Sequence, residues 1–156
     1  MGCGAGEHIE NYKNQSLGID AHENNIQHCQ KKGLNAIKAD ANSYNKPETF
    51  DTVLLSHVLE HLNFPYNAIE NAYISTKIEG SILIVVPTYK GFMTGFNDLI
   101  GHRNYITEQY LDHYLIDQLG CKKIYSRKFP IFEFISGEYQ ELRVVYIKCP
   151  NWRNGK

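Results

Sequence analysis

The sequence predicts one α/β domain built on a doubly wound, mostly parallel sheet with an antiparallel C-terminal edge. Three observations carry this. Short apolar runs alternate with segments of helical spacing along most of the chain. Those runs are continuous rather than alternating, as in strands buried on both faces. The last two runs follow one another with no helical segment between them, which suits an antiparallel pair. At 156 residues, 42% hydrophobic and 21% charged, the chain is the size of a single domain. Residues 1–150 are expected to form it, with 151–156 as a tail.

The elements follow in order. Leu17-Gly18-Ile19 reads as a strand that ends in Asp20. Residues 23–32 form a helix that Gly33 can stop with a left-handed residue. Asn35 to Ala39 is a second strand, ending in Asp40, and Phe50 to Ser56 a third. Ala68, Ile69, Ala72 and Tyr73 recur at helical spacing and predict a helix over 67–78. Gly80 then leads into the strand Ser81–Val86, closed by Pro87. Residues 88–105 read as irregular. Thr107 is a natural N-cap for a helix to Leu119, with Gly120 as its stop. Cys121–Lys128 and Glu141–Cys149 are the closing strand pair, joined by an aromatic segment that includes Phe129, Phe132, Phe134 and Tyr139.

Composition narrows the partners. The longest apolar run, Ile82–Pro87, is a strand in length, and nothing approaches the ~20 residues that span a bilayer. A net charge of -1 gives no general pull toward nucleic acid or membrane. Residues 121–156 do carry 8 Lys/Arg against 3 Asp/Glu, and are read as a solvated edge with snorkelling lysines. Cys3, Cys29, Cys121 and Cys149 show no CxxC spacing, so reduced thiols in a cytoplasmic protein are expected. Gly6 stands where a myristoylation signal needs Ser or Thr.

Ligands of open parallel sheets bind beyond the carboxyl ends of the strands. There the sequence places the loop Gly2-Cys3-Gly4-Ala5-Gly6, then Asp20, Asp40, Ser56-His57 and Pro87-Thr88. Glycines permit close approach of a ligand to backbone N–H groups, and the short helical segment Glu7–Tyr12 begins just beyond them. Glu7 breaks the dinucleotide pattern GxGxxG. Asp20, however, lies 18 residues after Gly2, near the ~20-residue offset at which an acid takes ribose hydroxyls. Together they point to a nucleoside-type ligand.

The ordered set Gly2–Gly6, Gly18-Ile19-Asp20, Lys38-Ala39-Asp40-Ala41, Phe50–Val53 through Ser56-His57-Val58-Leu59-Glu60-His61-Leu62, and Glu79-Gly80-Ser81 resembles a class I S-adenosylmethionine-dependent methyltransferase of Rossmann-like, small-molecule type. The resemblance implies S-adenosylmethionine as cofactor. Gly2, Cys3, Gly4, Ala5 and Gly6 would line its methionine part, and Asp20, with Ala21 beside it, would take the ribose hydroxyls. Asp40 and Ala41 would meet the adenine; Ser56 and His57 would flank the sulfonium. The implied activity is methyl transfer to a small-molecule acceptor at an O, N or C atom, with no nucleic-acid or membrane partner and a homodimer left open.

Methyl transfer from a sulfonium needs positioning, exclusion of water and, for some acceptors, a base. His57 and His102 are the candidates for the base, Tyr105 or Arg103 could orient an acceptor oxygen, and Tyr89, Phe92 and Phe96 could wall its pocket. Two other readings stand beside this one. His57-x-x-Glu60-His61 is also the zinc-binding pattern of inverted zincins, but it follows directly on a strand and Pro65 cuts short any helix, so no metal is expected. A non-catalytic binding module is the other. It is suggested by the family's buried first strand, which in the resemblance lies at the centre of the sheet immediately before the glycine loop. Only Met1 stands there. A start further upstream is the expectation; filling by another segment or subunit, or closure of the gap by the neighbouring strands, are the alternatives.

Overall fold

The computed structural model describes residues 1–13, 15–89, 101–130 and 140–150. The expected wall residues Phe92 and Phe96, the aromatics Phe132, Phe134 and Tyr139, and the tail 151–156 lie outside the described residues.

The α/β architecture and the antiparallel edge are those the sequence predicts. In chain order the elements are β1 (Gly18–Asp20), α1 (Glu23–Lys31), β2 (Ala36–Lys38), β3 (Phe50–Ser56), α2 (Pro65–Ser75), β4 (Thr76–Pro87), α3 (Glu108–Asp112), β5 (Lys122–Pro130) and β6 (Gln140–Ile147). Strands β3 and β4 run parallel, with Leu54 opposite Leu83, and β6 pairs antiparallel with both β4 and β5. Val53 and Leu55 of β3, Ile82, Ile84 and Val86 of β4, and Val144 and Tyr146 of β6 fill the main core with Ala68, Ile69 and Ala72 of α2. Pro65, whose missing N–H costs nothing in a first turn, opens α2.

The sheet is in two parts. β1 pairs parallel with β2 in a separate two-stranded unit, over which α1 lays Ile26 and Cys29 against Leu34 and Ala36 as a second, smaller core. Closure of the gap by β1 and β3 is therefore not what occurs. Among the described residues, the segment Met1–Cys3 is what runs between them. The Met1 nitrogen donates to the Leu54 carbonyl at 2.7 Å, and the Cys3 N–H donates to the Ile19 carbonyl at 2.9 Å. Below this strap a cavity of about 760 Å³ opens between the facing edges, lined by Gly18 and Ile19 on one side and Thr52 and Leu54 on the other.

Two boundaries differ from expectation for identifiable reasons. The helix predicted over 67–78 ends at Ser75, and β4 begins at Thr76 rather than Ser81. Thr76 bonds back to the Ala72 carbonyl at 2.7 Å and pairs with Phe50. The register then jumps, so that Thr52 meets Ser81. The helix predicted over 107–119 starts as foreseen, with the Thr107 hydroxyl accepting from the Tyr110 N–H at 3.1 Å. From His113 to Gln118 it widens into a π-helical turn. Leu111, Leu115 and Leu119 recur every four residues and all are buried. A turn wider than 3.6 residues keeps that spacing on one face.

The basic edge is not wholly solvated. Lys148 is 7% exposed. Its ammonium donates to the Thr76 carbonyl at 2.9 Å and to the Tyr73 carbonyl at 3.2 Å, and lies 4.6 Å over the Tyr73 ring. It thereby ties the end of α2 to the end of β6. Replacing it, as Lys148→Met, leaves carbonyls without their donor and is expected to lower stability by about 1–3 kcal/mol in urea unfolding. Hydrogen exchange should also separate the two units: with three-residue strands and a small core, β1 and β2 are expected to exchange faster than β3, β4 and β6. Equal protection would mean that the halves open together.

Candidate functional site

A pocket of about 680 Å³ lies across the carboxyl ends of β1, β2 and β3. Gly2, Cys3, Gly4, Ala5, Asp20, Ala21, Asp40, Ala41, Ser56 and His57 all line it, so ten of the eleven residues expected at a cofactor meet in one place. Gly6 does not line it. It is a buried turn residue whose N–H donates to the Cys3 carbonyl at 2.9 Å. His61 and Arg103, which were not expected at the cofactor, do line it.

Asp20 organises the pocket floor. Its Oδ2 accepts the Gly4 N–H at 2.9 Å, while Oδ1 accepts the His22 N–H at 2.9 Å and the Asn25 amide at 3.1 Å. The strand thus ends in an acid that holds both the glycine loop and the start of α1. Cys29 reaches from α1 to the Gly4 carbonyl at 3.3 Å. The Asp40 carboxylate closes its own turn, accepting the Asn42 N–H at 2.8 Å.

Strain and shape together explain two of the glycines. Gly2 has φ +66, and a Cβ there would lie 2.3 Å from a Val58 methyl. Gly6 has φ +88, with its hypothetical Cβ 2.5 Å from Leu34 and 3.0 Å from Cys29. Gly4 also has a positive φ but meets nothing within 4 Å. Gly6→Ala is therefore expected to cost more than Gly4→Ala, about 1–3 kcal/mol beyond it, because overpacking adds to backbone strain. Thermal melts of the two variants compare them directly.

His57 follows β3 with φ +52, a left-handed backbone rare for a residue with a side chain. Its N–H donates to the Val85 carbonyl at 2.9 Å, and its ring reaches two carboxylates. Nδ1 lies 3.2 Å from Glu60 Oε1 and Nε2 lies 3.0 Å from Glu141 Oε2. The hydrogen bond to Glu60 is the chief cause that raises the imidazole pKa, with Glu141 adding to it against the opposing effect of burial. Glu141 carried no signal in the sequence. It arrives through the β4–β6 register, which sets it opposite Pro87, and Arg143 holds its other oxygen. Glu60 and His61 belong to a single 3-10 turn, Leu59–His61, so the helical geometry of a zincin is absent and His57 has no nitrogen turned to a shared ion.

Neither acceptor-side candidate, His102 nor Tyr105, is among the residues that line the pocket. His102 packs against His61 with ring centroids 4.9 Å apart. Tyr105 is 43% exposed and sits edge-on to Tyr89 at 5.5 Å, away from the pocket lining. Among the described residues no helix is long and apolar enough to cross a membrane.

The Methyltransferase domain family profile matches residues 1–84. No curated protein sequence matches the chain. Among solved structures, an S-adenosylmethionine-dependent methyltransferase of Thermotoga maritima is similar at 18% identity and TM-score 0.78, over 95% of this chain and 79% of its own. One of Archaeoglobus fulgidus reaches 22% identity and TM-score 0.74, over 94% and 83%. The cyclase SpnF shares the fold at 14% identity and TM-score 0.74, over 95% and 73%. With its glycine loop, strand-end acids and sheet order in these places, the chain belongs to the class I S-adenosylmethionine-dependent methyltransferases.

Proposed function

We propose that this chain binds S-adenosylmethionine in the pocket above and transfers its methyl group to a small-molecule acceptor in the cytoplasm. The observation that carries the reading is the convergence of the glycine loop, Asp20 and Asp40 on one pocket at the strand ends. The residues suit the ligand. Asp20 has four lone-pair positions and spends three of them on the protein, which leaves Oδ2 one for a ribose hydroxyl. Gly2 and Gly4 let the ligand approach the backbone closely, and Ala41 gives the adenine a small apolar neighbour. The cofactor supplies a methyl carbon already activated by its sulfonium, so the protein's part is alignment and exclusion of water.

His57 acts as a positioning residue in this reading. Both ring nitrogens are engaged by carboxylates, which leaves neither free to take a substrate proton. Two acidic groups around one imidazole also suit a cationic donor. His102, beside His61, is better placed to meet an acceptor than Tyr105. The cytoplasmic assignment is supported by the four cysteines, all of them free thiols.

A second reading, a binding module without turnover, is favoured by the split sheet: cofactor and strap share the Met1–Cys3 segment, and loss of its order would cost affinity. Calorimetric titration separates the two. S-adenosylhomocysteine is expected to bind the intact chain, and Asp20→Ala to weaken it about 10- to 150-fold, the worth of a charge-assisted hydrogen bond. Absence of binding by the intact chain overturns the transferase reading. Binding with no methyl transfer across a panel of hydroxyl, amine and carbon acceptors selects the module.

A further inference from the structure

Glu60 is an unusual place to bury an acid. It is 0% exposed, its Oε1 faces His57, and its Oε2 is buried with no hydrogen-bond partner. A buried acidic oxygen without a partner is costly to keep, and an unseen ion is one standard reason to find one.

Two imidazoles stand beside it. One ligand atom from each of Glu60, His61 and His102 can be chosen so that all lie within 4.8 Å of one another. Ligands sharing a Zn²⁺ ion at about 2.0–2.2 Å sit roughly 3–4 Å apart, so small side-chain rotations close the set. The backbone already brings the two ligand-bearing segments together. The N–H groups of Arg103 and Asn104 donate to the Glu60 carbonyl at 2.6 and 3.1 Å, and the Asn104 amide donates to the Leu62 carbonyl. His61 Nδ1 lies 3.3 Å from the Gly101 carbonyl. With Nδ1 donating there, Nε2 is left with the lone pair that a metal takes, the usual outer-shell arrangement of a ligating histidine.

We propose that Glu60, His61 and His102 bind one divalent transition-metal ion of the Zn²⁺ class. Two imidazoles and a carboxylate favour such an ion over Mg²⁺ or Ca²⁺, which prefer oxygen alone. The set differs from the zincin pattern: His57 is not a ligand but the partner that orients Glu60 through Oε1. His61 also lines the cofactor pocket, which places the ion site at the pocket's edge. An oxygen-bearing acceptor would complete the shell there. This last point rests on the methyl-transfer reading; the ion site does not.

The test uses Co²⁺ as the probe. The full chain is stripped with chelator, the chelator removed, and Co²⁺ titrated while visible d–d absorption is followed. One equivalent is expected to bind. His102→Ala, on a partly exposed loop, and the near-isosteric Glu60→Gln are each expected to weaken binding by more than about 100-fold, beyond the loss that an outer-shell change causes. Three results overturn the proposal: no d–d band, a band unchanged in both variants, or a thiolate-to-cobalt charge-transfer band that places the ion on the cysteines. S-adenosylhomocysteine titration of the same stripped protein is read separately. Co²⁺ bound at the three residues without homocysteine-nucleoside binding upholds the ion site and refutes the transferase reading.

Discussion

The carboxylate of Asp20 is where three parts of the molecule meet. One oxygen takes the Gly4 N–H, and the other takes the His22 N–H and the Asn25 amide. At 7% exposure it has little water to fall back on. Its bonds to loop and helix are therefore obligatory, and they hold the glycine loop against the strand end. The pocket wall, the beginning of α1 and the end of β1 all inherit their positions from this one side chain. The same carboxylate that a ribose would use is thus also a structural clamp, which joins ligand affinity to local order.

The division of the sheet sets a second condition. The main core spans β3, β4, β6, α2 and the leucines after Thr107, whereas β1, β2 and α1 enclose a small cluster of their own. The pocket straddles the two units, since Asp20 and Asp40 come from the smaller and Ser56 and His57 from the larger. Its geometry depends on Met1–Cys3, whose two backbone bonds reach one strand on each side. Beneath these two bonds the facing edges border the cavity.

Much of this was legible in the residues. The short apolar runs that lead to Asp20 and Ser56 mark strand ends, and β2 stops at Lys38, two residues before Asp40; the pocket assembles at those ends. Thr107 and Gly120 mark the ends of the late helical segment through local chemistry alone. What the sequence hid depends on registers between distant segments. Glu141 meets His57 only because β6 aligns with β4 across 84 residues of chain. Lys148 looks like any edge lysine until the end of α2 is seen to stop beneath it. The spacing of Ala68, Ile69, Ala72 and Tyr73 marks the face of α2 but not its end, which is set where pairing with Phe50 claims Thr76 for the sheet.

The thiol of Cys3 gives the pocket a further property. It lines the site and is pushed up to about 12, first by burial and then by its neighbour Cys29. A methyl sulfonium is an alkylating agent, and sulfur attacks it as thiolate rather than thiol. Near neutral pH burial and the neighbouring Cys29 keep the proton on Cys3. The pocket wall therefore presents its sulfur as the thiol, the form that is slow to attack an electrophile.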